Sequence, residues 1–499
     1  MMTLYDQLPV LVVVLPLFLA PLVATLPSRG KLPWLVATIT TALTFAISIS
    51  LVTQVLETGS LTYLLGNWPI PFGIGLYIGP FSAMMALIIS GASLAGLIVS
   101  ASAMDNEVPA EHQSLLYSCW LLAMSGLIGI VITGDAFNVF VFMEISSLAS
   151  YVMVANGPTR QGLTASFKYL VTGTMGATFY LIGVGYLYMM TGTLNMADMA
   201  VRLEDVSDTL PVIVAGGFLI LGLAMKAALF PMHAWMPNAY QFAPSAVAVF
   251  FAACSTKVAL YVMLRFQFQI LTPNLGNHLE LLNALIMTLS VIGFIAGSLI
   301  AIFSDNLKRL LGYSSVAQLG YIVLAISLGT SAGISAAIIH TFNHAIMKAA
   351  LFAAVAAMVL RFGSSKIEDL AGVGKQMPLT MLGFALAGLS LIGVPLTAGF
   401  ISKWYLIQAV LESGTLGILL TLLILTSSLM AVIYIWKVIE IAYFQPARQE
   451  LPPGRREAPA PVLIVLWALV LANFWFGIDP ELVLSLARSE AVNLMGVGK

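Results

Sequence analysis

The stretch 222–244, GLAMKAALFPMHAWMPNAYQFAP, decides how the rest of the chain is interpreted. It places Lys226 inside an apolar run, where an ammonium group costs roughly 2.5–3.5 kcal/mol to insert and so needs a partner or a function. Pro231 follows, and proline removes a backbone donor and clashes with the preceding helical turn. A broken helix at membrane depth is tolerated only against protein or a water-filled cavity. Charge and break together predict an ion path.

The composition is that of a protein embedded in a membrane. Of 499 residues, 60% are hydrophobic and only 9% are charged, whereas about 25% are charged in soluble proteins. Apolar runs of about 20 residues recur from end to end, and each is long enough to span a bilayer. The sequence predicts an all-α polytopic membrane protein with about fourteen transmembrane helices. They are expected to start near Leu8, Leu32, Phe81, Leu115, Phe137, Leu163, Pro211, Ala246, Leu281, Leu311, Ala332, Leu379, Leu416 and Val462.

Basic residues concentrate in alternate loops between the predicted membrane spans. They follow the first, fifth, ninth, eleventh and thirteenth predicted spans, on one side of the membrane. Positive charge favours the cytoplasmic side, so we expect both termini on the non-cytoplasmic side of a cell membrane. The loop residues concerned are Arg29, Lys31, Arg160, Lys308, Arg309, Arg361, Lys366, Lys375, Arg448, Arg455 and Arg456.

Several classes of function are disfavoured by what the sequence lacks. Cys119 and Cys254 stand singly and no CxxC motif is present, which argues against an iron–sulfur cluster or a zinc ribbon. There is no Walker A run and no dinucleotide-binding GxGxxG motif. A net charge of −1 argues against a nucleic-acid partner. We therefore expect no cofactor and no metal, and a transporter subunit rather than an enzyme.

Ionisable residues within the predicted spans are the candidates for function. Glu144 lies alone in an apolar run and is expected either in a structural ion pair or in a proton-linked pair with Lys226. Lys168 lies near a span start, where it either takes part or extends to the interface. Lys257 lies about ten residues into its run, roughly 15 Å along a helix, which favours a proton relay over escape to the interface.

The run AAIIHTFNHAIMKAALF carries His340, His344 and Lys348 at i, i+4 and i+8, on one face of a helix. Polar packing is the structural alternative, and a zinc site or an axial haem ligand is disfavoured because no third ligand or facing histidine accompanies the pair. Histidine titrates near neutral pH, so we favour a proton wire. His233, beside the break at Pro231, is expected to be either a path entrance or a helix cap.

Lys403 lies beside a second interruption, in LIGVPLTAGFISKWYLIQAV, which contains Gly393, Pro395 and Gly399. The arrangement is similar to that of Lys226 and Pro231 in the first half. Two interrupted spans in corresponding positions of two halves indicate a transporter built from inverted repeats. A solute carrier is the main alternative class, but the polar residues here form a line of titratable groups rather than a substrate pocket.

These residues together resemble the antiporter-like proton-conducting membrane subunits of Mrp-type cation/proton antiporters and of complex I and related hydrogenases. The resemblance rests on FMEISSLASY, MKAALFPMHAWMPNAY, STKVALY, NHAIMKAALF and GFISKWYL. Lysine at position 403, the NHAIMK motif and the short remainder 478–499 make the chain most similar to the D-type members of the Mrp branch.

The resemblance implies fourteen helices, two inverted five-helix repeats, and broken helices 7 and 12. It implies four regions: N-terminal helices 1–110, a first repeat 111–270, a second repeat 271–445, and a cytoplasmic loop with the last helix, 446–499. It further implies a modulating pair of Glu144 and Lys226, a central relay at Lys257, connecting histidines, and an outer exchange site at Lys403. The expected partners are other membrane subunits, with protons and sodium transported. The alternative is a proton-pumping subunit of a complex I-like oxidoreductase or a membrane-bound hydrogenase.

Overall fold

The computed structural model describes residues 4–28, 30–207, 209–274, 277–452 and 456–495. Two of the basic loop residues considered above, Arg29 and Arg455, lie outside the described residues. The first part of the chain forms α1 (Leu4–Thr25), α2 (Leu32–Thr58), β1 (Leu61–Leu64), β2 (Gly75–Ile78), α3 (Pro80–Glu107), α4 (Ala110–Ile132), α5 (Ala136–Ala155), α6 (Gln161–Thr191), α7 (Met196–Leu203), α8 (Leu210–Lys226), α9 (Trp235–Phe242) and α10 (Ser245–Arg265).

A π-helical turn, Phe266–Leu271, extends α10. The second part forms α11 (Asn277–Ile302), α12 (Leu307–Ser327), α13 (Ser331–Phe362), α14 (Val373–Gln376), α15 (Pro378–Ile392), α16 (Ala398–Leu411), α17 (Thr415–Phe444), α18 (Ala460–Ile478) and α19 (Glu481–Met495).

The predicted number of membrane crossings is confirmed. Within the described residues, 12 helices are long and apolar enough to span a membrane: α1–α6, α10–α13, α17 and α18. Two further crossings are interrupted, one formed by α8 and α9 and the other by α15 and α16. Each predicted start lies within a few residues of an observed one, because long apolar runs define their own ends. Proline at the first turn of α3, α8, α15 and α18 also favours helix initiation there.

Both predicted breaks are present, at the crossings that are seventh and twelfth in order. The first occupies residues 227–234, where Ala228 has a positive φ of 54° and Pro231 has no N–H to donate. The second occupies 393–397, where Gly393 ends α15 in the left-handed region with a φ of 92°. A Cβ at Gly393 would lie 2.9 Å from Lys403 Cδ, so this glycine both turns the chain and makes room for the lysine.

The segments that connect the helices differ between the two ends of the molecule, which we call the hairpin face and the loop face. At the hairpin face, the antiparallel strands β1 and β2 meet the α4–α5 turn, where Gly134 N–H donates to the Gly75 carbonyl oxygen. At the loop face, the long connection before α18 meets α13 and α15, and Arg361 donates to the Glu457 carbonyl oxygen. Tyr63 donates to Gln7 of α1, and Glu490 of α19 meets Phe81, so the first and last described helices both reach the hairpin face.

The crossings form two inverted sets of five. The first set, α4 to α10, starts at the loop face and ends at the hairpin face, where Arg265 donates to the Thr133 carbonyl oxygen. The second set, α11 to α17, runs the opposite way and ends at the loop face, where Lys437 donates to the Ser304 carbonyl oxygen. Each interrupted crossing is the fourth of its set. The halves therefore correspond in order and are opposite in direction.

The centre of the molecule is formed by α10, α12 and α13. Every residue of α10 except Ser255 is buried, and α12 and α13 are nearly as enclosed. α10 packs against α13 and α3, and α12 packs against α13. Charged side chains on these helices therefore face protein rather than lipid, which makes each of them energetically costly unless it is hydrogen-bonded.

Two elements depart from the sequence-based description. The hairpin of β1 and β2 adds a small sheet to an otherwise helical chain, because four-residue strands are too short to give a periodic signal. The segment after the last crossing forms α19, which presents Val483, Leu486 and Ala487 to the protein and Arg488 to the outside. The region 446–499 therefore contains one helix more than expected.

Candidate functional site

The first interrupted crossing brings Lys226 to Glu144 of α5. Lys226 is the last residue of α8, and its Nζ lies 3.7 Å from Glu144 Oε1. The same Nζ donates a 2.7 Å hydrogen bond to Ser147 Oγ, nearly one turn beyond Glu144. The lysine side chain is 8% exposed and the glutamate side chain is 25% exposed. The contact expected between the two charges is present, and it lies near the perimeter rather than the centre.

A cavity of about 40 Å³ lies beside this ion pair. A buried water needs roughly 10–15 Å³ measured in this way, so the cavity has room for about three or four molecules. Its polar lining gives such water hydrogen-bond partners: Lys226, Ser255 of α10, and the α5 serines Ser146, Ser147 and Ser150. The cavity therefore connects the ion pair with the helix that carries Lys257.

Lys257 is completely buried in the second half of α10. Its Nζ donates a hydrogen bond to the Ala252 carbonyl oxygen of its own helix. Within the described residues, no carboxylate lies within salt-bridge distance of this lysine. Its charge acts on His344 and Lys348 of α13, the neighbouring helix. Lys257 is thus a central basic group without a carboxylate partner in the described part of the chain.

His340, His344 and Lys348 form the expected stripe along α13. The two imidazole rings are nearly parallel, at an interplanar angle of 6°, with centroids 6.0 Å apart. Lys348 Nζ donates to the Leu311 carbonyl oxygen at 2.9 Å and also to Ser314 Oγ of α12. Within the described part of the chain, neither nitrogen of His344 has a hydrogen-bond partner. Buried polar atoms are nearly always hydrogen-bonded to protein or to ordered water, so we expect water molecules at both ring nitrogens of His344.

The second interrupted crossing contacts the α13 stripe at His340. His340 Nδ1 lies 2.8 Å from Ser402 Oγ on α16, next to Lys403. Lys403 Nζ donates to the Leu391 and Ile392 carbonyl oxygens, at 3.0 and 2.7 Å, and to Ser428 Oγ at 2.9 Å. The carbonyl oxygens belong to the last turn of α15, where the helix dipole favours a cation.

The similarity between the two interrupted crossings is therefore only partial. Lys226 ends the first segment of its crossing and is paired with a carboxylate. Lys403 lies on the second segment and reaches back to the carbonyl oxygens that end the first segment. The difference follows from position, because Lys226 precedes its break and Lys403 follows its own. The second lysine is stabilised by the break itself, without a carboxylate partner among the described residues.

The structure places the predicted residues in succession between the two broken helices. This line runs from the Glu144–Lys226 pair, past the small cavity, to Lys257, and then along the α13 stripe to Ser402 and Lys403. The line joins the two broken helices through α10 and α13. The assignment of these residues to proton transfer stays a prediction.

Some contributors to the line could not be identified from the sequence. Ser147, Ser314, Ser402 and Ser428 each receive or share a hydrogen bond with a lysine or histidine of the line. Tyr321 of α12 lies under Lys403, with Nζ 5.5 Å from the ring centroid. Hydroxyl groups are common in membrane helices. These four serines and this tyrosine differ from the others only in the residues that they contact on neighbouring helices.

The remaining ionisable candidates lie away from the line. Lys168 is exposed on the outer surface of α6. His233 stacks on Phe230 within the first break and meets the ring of Tyr313. Among the described residues, no three histidine, cysteine, aspartate or glutamate side chains come together as a metal site would require. The histidine pair instead faces serine and lysine.

Comparison with known proteins agrees with this arrangement. Residues 133–431, more than half of the chain, match the transmembrane family described as NADH:quinone oxidoreductase/Mrp antiporter. The chain belongs to this family. The resemblance drawn from the motifs is thus confirmed, and the matched region contains all seven predicted site residues: Glu144, Lys226, Lys257, His340, His344, Lys348 and Lys403.

Individual members of the family are similar over nearly the whole length. The N subunit of the NADH-quinone oxidoreductase of Desulforudis audaxviator is 38% identical, over 96% of this chain and 97% of that protein. The D subunit of the Na(+)/H(+) antiporter of Bacillus subtilis is 28% identical, over 98% of this chain and 97% of that protein.

Solved structures show the same fold. A chain of the membrane-bound sulfane sulfur reductase, an archaeal respiratory membrane complex, matches with a TM-score of 0.90 and 34% identity, over 98% of both chains. A chain of the Mrp complex from Dietzia sp. DQ12-45-1b matches with a TM-score of 0.89 and 27% identity, over 100% of this chain and 98% of that chain. The protein is therefore an antiporter-like, multi-pass membrane subunit.

Proposed function

We propose that this chain is the proton-translocating subunit of a multisubunit monovalent cation/proton antiporter that exchanges sodium. The observation that carries the proposal is the succession of buried titratable side chains between two broken helices. Similarity over nearly the whole length to the D subunit of an Na(+)/H(+) antiporter supports the choice of assembly. The partners are then the other membrane subunits of that assembly.

The proposed mechanism is electrostatic and needs no covalent step. A proton that reaches Lys257 adds an uncompensated positive charge close to the α13 stripe. Because charges interact strongly in a low-dielectric interior, this proton weakens the tendency of Lys226 to stay cationic beside Glu144. His344 and His340, with water between polar atoms, then pass a proton to Ser402 and Lys403.

We also propose an orientation and a division of the chain. The loop face carries Lys308, Lys375 and Arg448 and is assigned to the cytoplasm by its positive charge. The hairpin face, with both termini, is then outside the cell membrane. The inverted sets of five crossings support a first repeat at 111–270 and a second at 271–445, between N-terminal helices at 1–110 and the region 446–499.

The test is proton movement in membrane vesicles from a strain that lacks its own antiporters. The whole gene cluster is expressed, and a trapped pH-sensitive dye reports proton movement after sodium is added. Lys257→Ala is compared with Lys375→Ala, which removes an exposed lysine of α14. We expect Lys257→Ala to lower the rate by roughly 100-fold or more, the usual range for a lost proton-transfer group. Lys375→Ala should match the unaltered complex.

The result for an assembled Lys257→Ala complex decides the relay assignment. If it moves protons as fast as Lys375→Ala, Lys257 is not the relay. Assembly is checked by purifying the complex through a tag on another of its subunits.

A second candidate is the proton-pumping subunit of a redox-driven complex. The 38% identity to the N subunit of an NADH-quinone oxidoreductase and the TM-score of 0.90 to a respiratory sulfane sulfur reductase favour it. The line of side chains serves this function equally, with the driving force supplied by other subunits. Proton movement that requires an electron donor and does not respond to sodium would select this candidate over antiport.

A further inference from the structure

A second polar stripe starts at Lys257 and runs along α10 towards the hairpin face. Lys257, Tyr261 and Arg265 lie at i, i+4 and i+8, which places them on one face of the helix, about 6 Å apart along its axis. This spacing is the same as that of the α13 stripe. The proposed function uses only Lys257, so Tyr261 and Arg265 have no role in it.

Arg265 ends this stripe while still buried, at 4% exposure. Its Nη1 donates a 2.7 Å hydrogen bond to the Thr133 carbonyl oxygen, and its guanidinium lies 5.7 Å from the Tyr261 ring centroid. Tyr261 donates its own hydroxyl hydrogen to the Val131 carbonyl oxygen at 2.7 Å. Within the described residues, Arg265 forms no ion pair within salt-bridge distance. A buried guanidinium is energetically costly unless it is hydrogen-bonded, and its charge acts on any titratable group in its neighbourhood.

The nearby anionic group is Glu490 of α19, which is also 4% exposed. Its Oε2 accepts a 3.4 Å hydrogen bond from Phe81 N–H at the first turn of α3, and the charge of Arg265 acts on it. A carboxylate on the buried face of an amphipathic helix is unusual, because the helix has solvent-facing positions available. An uncharged glutamine would accept the same bond from Phe81, so this bond alone does not require an acid.

The surroundings of Glu490 favour a carboxyl group that changes its protonation state. Burial raises its pKa, and the Phe81 hydrogen bond and the Arg265 charge oppose that rise. The pKa of Tyr77, on β2, is raised by burial and then by the charge of Glu490. The charged and titratable groups facing Glu490 are therefore Arg265, Tyr77 and Tyr261.

We propose that Glu490 is the terminal proton-transfer residue of a branch that leaves Lys257 through Tyr261 and reaches the hairpin face. The branch rests on the proposed function, since it starts from the same lysine. The Lys257 side chain turns from Ala252 towards Tyr261 and gives up a proton. The tyrosine hydroxyl gains that proton as it passes its own onward, directly or through water, to Glu490.

The charges and bonds balance at each step of this branch. Glu490 gains an O–H bond when the proton arrives and loses it when the proton leaves at the hairpin face. Arg265 stays cationic throughout and acts as a positioning residue, since it favours the carboxylate and hence release. α19 covers this end of the branch, so its docking holds the terminal carboxyl in place.

The experiment compares Glu490→Gln, Glu490→Asp and Glu481→Gln in the vesicle assay with the full complex. Glu481 is an exposed glutamate on the same helix and provides the matched control. Glutamine keeps the acceptor for Phe81 but cannot carry a proton, whereas aspartate keeps the ionisable group. We expect Glu490→Gln to slow proton movement by roughly tenfold or more and Glu490→Asp to retain part of the rate. Glu481→Gln should match the unaltered complex, and thermal unfolding should be unchanged by Glu490→Gln.

Two results would overturn the branch. The first is a Glu490→Gln complex that moves protons as fast as Glu481→Gln. The second is failure of Glu490→Gln to assemble, or a rate no lower than that of Glu490→Asp, either of which would assign the carboxylate to holding α19. Failure of the proposed function is separate, because it appears as unchanged movement in Lys257→Ala whatever Glu490 does.

Discussion

Ser402 gives the sharpest test of the line between the two halves. Its hydroxyl is the only polar group of the described chain that hydrogen-bonds the His340 side chain, at 2.8 Å, and it precedes Lys403 in α16. Ser402→Ala removes one oxygen atom from a fully buried position and leaves every titratable residue in place. We expect the complex to assemble normally and proton movement to slow.

The size of the effect follows from the bond that is lost. Removal of one partner leaves His340 Nδ1 buried and unpaired, at a cost of about 1–3 kcal/mol. If the same amount is added to the barrier for transfer, the rate falls by about 5- to 150-fold. Ser125→Ala is the matched control. Ser125 is equally buried and donates a 2.9 Å bond to the Val13 carbonyl oxygen of α1, which is not part of the line.

The assay is the initial rate of proton movement into vesicles, divided by the amount of assembled complex. Thermal unfolding of both variants in detergent shows whether the two lost hydrogen bonds have similar effects on stability. If Ser402→Ala is no slower than Ser125→Ala, protons do not pass between His340 and Lys403 through this hydroxyl. The line would then be interrupted at the second broken helix.

Two further predictions concern the second break and the C-terminal helix. Gly393→Ala should destabilise the complex by about 1–2 kcal/mol, because of its positive φ, and should lower transport by displacing the Lys403 side chain. The control is Gly185→Ala, where a Cβ meets open space. Thermal unfolding and proton movement in vesicles are measured for both variants, and the same stability and rate in both would contradict the prediction. Burial raises the pKa of Glu490 above its usual 4.5, so docking of α19 favours the protonated carboxyl. Docking is therefore strongest below pH 4.5 and weakens as the pH rises through the raised pKa. Hydrogen exchange of Glu481–Met495, corrected for intrinsic rates, should therefore be faster at about pH 8 than at about pH 5, and a Glu490→Gln variant with the same pH dependence would refute the assignment.

Much of the fold could be predicted because membrane spans are local features. Apolar runs of about 20 residues define their own ends, and proline or glycine within a run marks a break without knowledge of any neighbour. The α13 stripe is equally local, since i, i+4 and i+8 share a helix face whatever surrounds them. These rules gave the crossings, the two breaks and the candidate residues.

What could not be predicted depends on contacts between distant residues. Ser402 meets His340 across 62 positions, and Ser147 meets Lys226 across 79. Glu490 reaches Phe81 across 409. The sequence contains many serines in similar settings, and only packing selects these. The helix α19 was missed for another reason, since 15 residues of mixed polarity resemble a polar tail as much as a surface helix.

Under the proposed function, the neutral ligands of the inner lysines limit how many protons the chain holds at one time. Lys257, Lys348 and Lys403 are bound by carbonyl and hydroxyl oxygens, without a carboxylate within salt-bridge distance in the described chain. Two uncompensated charges about 10 Å apart repel by about 1.7 kcal/mol at an effective dielectric constant of 20. Occupancy of one lysine therefore disfavours occupancy of the next, which is negative cooperativity. If the proposed function holds, neighbouring lysines should therefore be protonated alternately, and protons should leave the protein one at a time.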